Sequence, residues 1–395
     1  MTVTKTVLKR TNLRAYPTKA QEAVLSQAFG NSRFVWNYYT YIFRNKNIPH
    51  KDKIYPSIKE LKEIHGFDFL KLSSSCCQQQ TIRHFQSTIK QFFNKKRKEK
   101  IGPPKFKKKG VSKDSISFSG SGIYKTKSGE IKLLSLGKLK LRGEIDLNSI
   151  SRDKIKSITI SKDKCGHYYA SVCYEVEINY EERDFKLKDT SKSIGLDLGL
   201  THFLIDSQGK KIDNPRFLKQ ELEKLKYLDR CLSRKKKGSN SYKKCKLKRA
   251  KLFKSITNKR NYFFYCISKN LIENFDFIYV EDLAVKNMIK NRKLSRAISD
   301  VSWSRFVSIL SYKCDWYGVK LHKINRYFPS SKTCSECGYQ IDKLSLDIRE
   351  WQCHDCDTIH DRDINAALNI LKRGEFELNN IQTPNKKLSK GICLT

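Results

Sequence analysis

The hydrophobic pattern changes period several times along the chain. Residues 5–18 carry Val7, Arg14 and Tyr16 ahead of Pro17-Thr18 and predict a strand. Thr18 is placed as a helix N-cap, and Ala20, Val24, Leu25, Ala28 and Phe29 follow at helical spacing. A second helix is expected to carry Phe34, Trp36, Tyr38 and Tyr41. Ile48 to Phe69 is polar and has no clear period. Ile82, Phe85, Ile89, Phe92 and Phe93 then mark an amphipathic helix ending in Lys95-Lys96-Arg97-Lys98. Gly102-Pro103-Pro104 breaks the chain. From Ile116 to Val176 the runs are short and alternating. Residues 157–160 and 168–174 flank Asp163-Lys164-Cys165-Gly166, the signature of a β-hairpin.

Residues 177–192 are charged and polar and read as a linker. Two short apolar strands, 193–200 and 203–205, follow around a tight turn, with Asp197 inside the first. Leu218, Leu222, Leu225 and Leu232 open a helical stretch that Leu252, Ile256, Phe263 and Ile267 resume. Between them lie Arg234-Lys235-Lys236-Lys237 and the lysines of 243–251, so a helical hairpin with a cationic tip is expected. Phe275 to Val280 reads as a buried strand ending in Glu281-Asp282. Trp303, Phe306, Ile309 and Leu310 mark a helix, and Val319-Lys320-Leu321 a strand. Beyond Ile370 the sequence is polar and reads as a mobile tail.

Charge narrows the partners. Lys+Arg number 80 against 40 Asp+Glu, a net +40, which repels itself in a compact state unless a polyanion neutralises it. No apolar run approaches the ~18 residues of a membrane span, and the N-terminus has no apolar signal block. The 19 Tyr, 21 Phe and 4 Trp interleave with basic residues, which suits stacking on bases as well as pairing with phosphate. Nucleic acid is therefore the expected partner. The 13 cysteines, an odd total without a secretion signal, point to reduced thiols in the cytosol.

Four of those cysteines are different. Cys334-x2-Cys337 and Cys353-x2-Cys356, fifteen residues apart, have zinc-ribbon spacing. Four thiolates leave no open position, so the ion is structural. The other nine, such as Cys76, Cys77, Cys165, Cys173 and Cys314, are most simply small buried hydrophobes. Carboxylates stand at three notable places. Asp197 sits in an apolar strand, where a charge needs a metal or a partner. Glu281 ends another, and Asp363 opens the small-residue helix from Ile364 to Ile370, with Asp361 its rival. Two-metal phosphodiester cleavage needs such converging carboxylates. Each also has a plain reading, as a turn residue, a strand-end group or an N-cap.

These segments together resemble the TnpB proteins, transposon-encoded relatives of type V CRISPR effector nucleases. The matching stretches are Gly195-Leu196-Asp197-Leu198-Gly199, Val280-Glu281-Asp282-Leu283, the run from Phe328 to Gly338, and the run from His360 to Ile370. N-terminal matches are Leu13 to Thr18, Arg33 to Asn37 and Pro104 to Lys108.

The resemblance implies an α+β multidomain chain. An RNase H-like RuvC nuclease domain would be interrupted by a zinc ribbon and preceded by a wedge β-barrel with a helical recognition insert. The corresponding segments are 1–40 and 111–185 for the wedge, 41–110 for the insert, and 186–332 for RuvC with its basic hairpin. The ribbon is 333–357, the third RuvC motif 358–373 and the tail 374–395. By matching position Asp197, Glu281 and Asp363 are the magnesium-binding catalytic triad, and Cys334, Cys337, Cys353 and Cys356 hold zinc. The implied activity is RNA-guided cleavage of double-stranded DNA next to a short flanking motif, by a monomer in a cytoplasmic ribonucleoprotein. Gln79 and Gln80 lie in the segment resembling the one that reads the flanking motif, since glutamine pairs bidentately with adenine. Lys105, Lys107 and Lys108 are expected on phosphates, and Arg326 on substrate phosphate. Alternatives are an RNA-guided repressor that does not cut, a DNA transposase, and a structural RNA-binding protein.

Overall fold

Strand β1 (Thr2–Tyr16) leads through Thr18 into helix α1 (Lys19–Arg44). The Thr18 hydroxyl accepts from the Gln21 amide at 3.3 Å, and the Gln21 side chain accepts from the Thr18 amide at 3.0 Å. This reciprocal cap satisfies two otherwise orphaned donors. The helix then runs 26 residues, where two helices were expected. It serves two cores. Leu25, Ala28 and Phe29 pack with strand residues, whereas Val35, Trp36, Tyr39 and Phe43 pack with Ile58, Leu61, Leu70 and Phe85. One uninterrupted helix therefore satisfies the apolar periods that suggested two.

The computed structural model describes residues 2–45, 47, 49–96, 101–143, 145–181, 192–345 and 347–382. The chain divides into two compact units, Thr6–Glu177, and Ile178–Thr395 together with Met1–Lys5. In the first unit the aperiodic stretch after α1 holds helix α2 (Ile58–Glu63) and two short 3-10 turns, and α3 (Ser75–Phe93) follows. Then come β2 (Asp114–Ser119), β3 (Ile123–Lys125), β4 (Ile131–Leu133), β5 (Lys140–Arg142), β6 (Ile155–Lys162) and β7 (Tyr168–Glu181). Five strands form a sheet in the order β2-β6-β7-β1-β5, with β3-β4 a separate hairpin. The β6–β7 hairpin is where the sequence puts it. Asp163 Oδ1 closes its turn by accepting from the amides of Cys165 (2.8 Å) and His167 (2.9 Å). The resemblance implies a barrel in this part of the chain.

The second unit starts with β8 (Ser193–Asp197), β9 (His202–Asp206) and β10 (Lys211–Asp213). Short α4 (Phe217–Gln220) precedes α5 (Leu222–Ser233) and α6 (Asn240–Asn274), which form the expected basic hairpin around Leu228, Cys245, Leu252 and Ile256. Strand β11 (Phe277–Glu281), helices α7 (Val285–Met288), α8 (Ser295–Val301) and α9 (Trp303–Tyr317), and β12 (Lys320–Ile324) follow. The ribbon contributes β13 (Glu350–Gln352) and β14 (Ile359–Asp361), and α10 (Arg362–Gln382) comes last among the described residues. The tail expected from residue 374 is thus helical through Gln382; its remainder, like most of the expected 177–192 linker, lies outside the described residues.

The main sheet runs β10-β9-β8-β11-β12. β9 runs antiparallel to both β10 and β8, and β11 runs parallel to both β8 and β12. Alternation divides its residues between two faces. Ile194, Leu196, Ile278 and Val280 meet Phe264, Ile267 and Leu271 of α6 and Phe306, Ile309 and Leu310 of α9. Phe277 and Tyr279 meet Ile370 of α10 on the other face. There the approach is very close: a Cβ on Gly195 would lie 2.2 Å from the Ala367 carbonyl oxygen, and one on Gly374 would lie 2.0 Å from the Tyr279 ring. A mid-helix Gly→Ala change ordinarily stabilises by ~1 kcal/mol. Here the sign should invert, because overpacking costs ~1–3 kcal/mol. Gly374→Ala and Gly195→Ala should each lower the urea midpoint; an unchanged or raised midpoint for either removes the close approach.

Candidate active site

Asp197 ends β8 and Glu281 ends β11. In the parallel ladder Tyr279 lies opposite Gly195 and Val280 opposite Leu196, so one further step brings Glu281 beside Asp197. Both acids fall on the face that α10 covers, two residues beyond the positions that touch it. Asp363 stands in the first turn of α10. Asp197 lies within electrostatic reach of both other acids. Burial, then Glu281, then Asp363 raise the Asp197 pKa to about 7. Burial also raises that of Glu281, against a hydrogen bond donated by the Ser330 hydroxyl. Asp363 takes the Arg349 guanidinium at 3.3 Å on both oxygens. Glu281 and Asp282 border a cleft of about 430 Å³ walled by Trp303, Ser304, Val307 and Ser308 of α9.

Asp361 has other work. Its Oδ1 accepts from the amides of Asp363 and Ile364, both at 3.0 Å, and so caps α10; its Oδ2 takes Lys211 Nζ at 2.5 Å. Burial raises its pKa, but Lys211 and the helix amides outweigh this and hold it below the usual carboxylate range.

The cysteines gather as their spacing predicts. Their sulfur atoms all lie within 4.8 Å of one another, with Cys334–Cys356 at 3.6 Å and Cys337–Cys353 at 3.5 Å. Four thiolates ~2.3 Å from one tetrahedral ion would stand ~3.8 Å apart, so the set fits zinc. His360 Nε2 lies 3.0 Å from Cys334 Sγ, in reach to donate to a thiolate, and its ring packs on Trp351. Among the described residues this is the sole group of three or more such ligand atoms within that radius. The carboxylates are therefore more widely spread than a single-ion cage. The described cysteines are all free of disulfides. Cys77, Cys165, Cys245 and Cys314 are buried, but Cys266 is exposed, contrary to a uniformly buried set.

The residues expected on nucleic acid are scattered in character. Gln79 is exposed, and Gln80 donates to the Ser119 hydroxyl. Lys105 and Lys108 are exposed, whereas Lys107 is half-buried with its ammonium 3.8 Å from the centre of the Trp36 ring. Burial and Arg33 lower its pKa. Asn37 clamps the Lys107 backbone at both N (2.7 Å) and O (3.0 Å). Lys107 thus packs the segment onto α1. Arg326 pairs with Asp282, next to Glu281, and also donates to its carbonyl at 2.9 Å.

Sequence reasoning did not single out the supports. Ser330 holds Glu281, Arg349 holds Asp363, Lys211 holds Asp361, and Asn365 and Asn369 of α10 are buried. The one available signal was two asparagines at i, i+4 on an otherwise apolar helix face.

The molecule is a mixed α/β chain with a zinc-type ribbon set against a mixed sheet. Residues 303–370 match the model of the Cas12f1-like TNB domain, 171–292 that described as a probable transposase, and 1–40 that described as a helix-turn-helix domain. Residues 2–40 fold here as β1 and most of α1. A Streptomyces pristinaespiralis protein provisionally named an RNA-guided DNA endonuclease is 35% identical over 368 residues, covering 91% of this chain and 88% of its own. Its Escherichia coli counterpart InsQ, provisionally named likewise, is 27% identical, covering 92% and 91%. A solved Cas12f1–sgRNA–target DNA complex aligns over 92% of this chain and 98% of that chain, at 13% identity and a TM-score of 0.48. The chain belongs to the TnpB family.

Two outcomes follow from the site. Asp197 keeps its proton to about pH 7 when folded, but to only ~3.9 when unfolded. The folded state therefore binds more protons between those values, and ionising Asp197 costs stability as pH rises through them. In metal-free protein Asp197→Asn should raise the melting temperature at pH 8 and leave it nearly unchanged at pH 4; an equal shift at both excludes a raised pKa. Elemental analysis should find one zinc per chain, lost in Cys334→Ser/Cys353→Ser protein; full retention there would exclude the four-thiolate site.

Proposed function

We propose that this chain is an RNA-guided DNA endonuclease that cuts by two-metal hydrolysis in a RuvC-type site. The carrying observation is that Asp197 and Glu281 end adjacent parallel strands on the face covered by α10, whose first turn holds Asp363. The strand arrangement, three antiparallel strands extended by two parallel ones, with acids at two strand ends and a helix start, supports an RNase H-type reading of this unit. The names of the relatives support the same activity. The N-terminal unit then corresponds to the wedge with its helical insert, and the excess of 40 positive charges suits a ribonucleoprotein that binds guide RNA and duplex DNA in the cytoplasm.

The donor set suits magnesium, because hard carboxylates that include Asp197, raised in pKa by burial and then by its two neighbours, invite divalent cations. Asp197, Glu281 and Asp363 would hold them. When bound, such ions activate water and stabilise the leaving oxygen. The protein's own part is placement. The ladder fixes Asp197 against Glu281, the Asp361 cap fixes the first turn of α10 and with it Asp363, and Ser330 orients Glu281. Asp361 is the cap and Asp363 the third ligand in this reading. Arg326 steadies Asp282 at the strand end. Lys105, Lys108 and Gln79, all exposed, remain available to nucleic acid.

The protein purified with its own RNA should linearise a plasmid carrying the guide-matched sequence in magnesium. Asp197→Ala, Glu281→Ala and Asp363→Ala should each lose more than ~100-fold in rate, beyond the usual cost of an outer partner. Asp361→Ala should lose less and cost ~1 kcal/mol of stability as a lost cap. Native-rate cutting by Asp197→Ala and Glu281→Ala would sink the nuclease assignment; guided binding without cutting by the native protein would make it a repressor. Strand joining without RNA would make it a transposase.

A further inference from the structure

We infer that Ser330 is a positioning residue for Glu281, and that through it the four-cysteine knuckle sets the geometry of the acid cluster. The inference rests on the nuclease reading only in taking Glu281 as a metal ligand.

Glu281 stands at the last position of its strand, where nothing in the backbone ladder fixes its side chain. The Ser330 hydroxyl donates to Glu281 Oε1 and leaves Oε2 for a cation. Ser330 is only 6% exposed, so water cannot readily replace that contact. Its backbone is fastened too. Asn369 Nδ2 donates to the Ser330 carbonyl at 2.8 Å and to the Thr333 carbonyl at 2.5 Å. Asn365 Nδ2 donates to the same Thr333 carbonyl at 2.7 Å, while its Oδ1 accepts from the Ser335 amide at 2.9 Å. The Thr333 hydroxyl closes back on the Pro329 carbonyl at 3.0 Å.

Thr333 and Ser335 bracket Cys334, a ligand of the knuckle. Two buried asparagines one turn apart on α10 therefore grip both sides of a thiolate and, four residues earlier, the residue that holds Glu281. The same helix starts with Asp363. An ion in the knuckle fixes Cys334, Cys334 fixes the 330–335 segment against α10, and that segment fixes one carboxylate relative to another. Buried polar networks of this kind are stiff when fully paired and costly when one member is lost.

The test uses the full-length protein freed of RNA, with manganese as the probe and calorimetry as the readout. Ser330→Ala should weaken manganese binding by ~10–100-fold, the usual cost of an outer-shell partner. It should keep one zinc per chain and its melting temperature. Ser330→Thr, which retains the hydroxyl, should bind nearly as wild type. Asn369→Asp, which loses the two donated hydrogen bonds, should weaken binding in the same direction. In the RNA-loaded protein Ser330→Ala should lower kcat at fixed magnesium and leave KM for DNA unchanged. Wild-type manganese affinity in Ser330→Ala would overturn the inference. So would a loss that appears only together with lost zinc or a lowered melting temperature. A native complex whose manganese affinity depends on Glu281 and Ser330 but which cuts no DNA would remove the nuclease reading and leave this coupling intact.

Discussion

The near-contact of one helix backbone with one strand is the constraint on which the C-terminal unit depends. Helix α10 passes so close to β8 that no side chain fits at Gly195, and Tyr279 takes the space that a side chain at Gly374 would need. Two glycines weaken a strand and a helix locally, and the tight packing of Phe277, Tyr279 and Ile370 offsets this. The approach also delivers charge. Asp197 lies two residues beyond Gly195 on the same face, and Asp363 lies one turn before Ala367. A thicker interface would hold those carboxylates apart, so the packing that stabilises the fold is also what brings like charges together.

That juxtaposition is held by polar groups that a sheet-and-helix description leaves out. Asp361 caps α10 and takes Lys211, Arg349 of the ribbon sits on Asp363, and Asn365 and Asn369 anchor the chain around Cys334. The ribbon is thus more than an appendage stapled by thiolates. Its hydrogen bonds run into the same helix that carries an acid, and one of its flanking serines touches another acid.

Much of this was legible in the sequence, and for identifiable reasons. The cysteine spacing defined a tetrahedral site because geometry allows few other uses of two such turns. Asp197 and Glu281 stood out because a charge at the end of an apolar run is costly without a partner. The β6–β7 hairpin and the cationic helical pair followed from turn residues and period. Other features were not readable. A single α1 was split into two because sequence does not show that one continuous buried stripe serves two different cores in succession. Helix α10 was cut short at Ile370 because its later turns are polar on most sides, with Leu378 packing inward. The tryptophan ring beneath Lys107 was likewise unreadable, because sequence shows only the charge. The roles of Ser330 and Asn369 depend on contacts between residues 39 and 49 positions apart, which no local pattern reveals.

The three acids stand far apart in the chain, and the last of them sits on the final described helix. Chains emerge from the ribosome in order, and domains begin to fold as they do. Until α10 is made, Gly195 and Tyr279 lack the helix that packs on them, and the carboxylate cluster is still missing a member. Assembly of the cluster is therefore timed by translation itself: Asp197 and Glu281 acquire Asp363 only once nearly all of the described chain has been made.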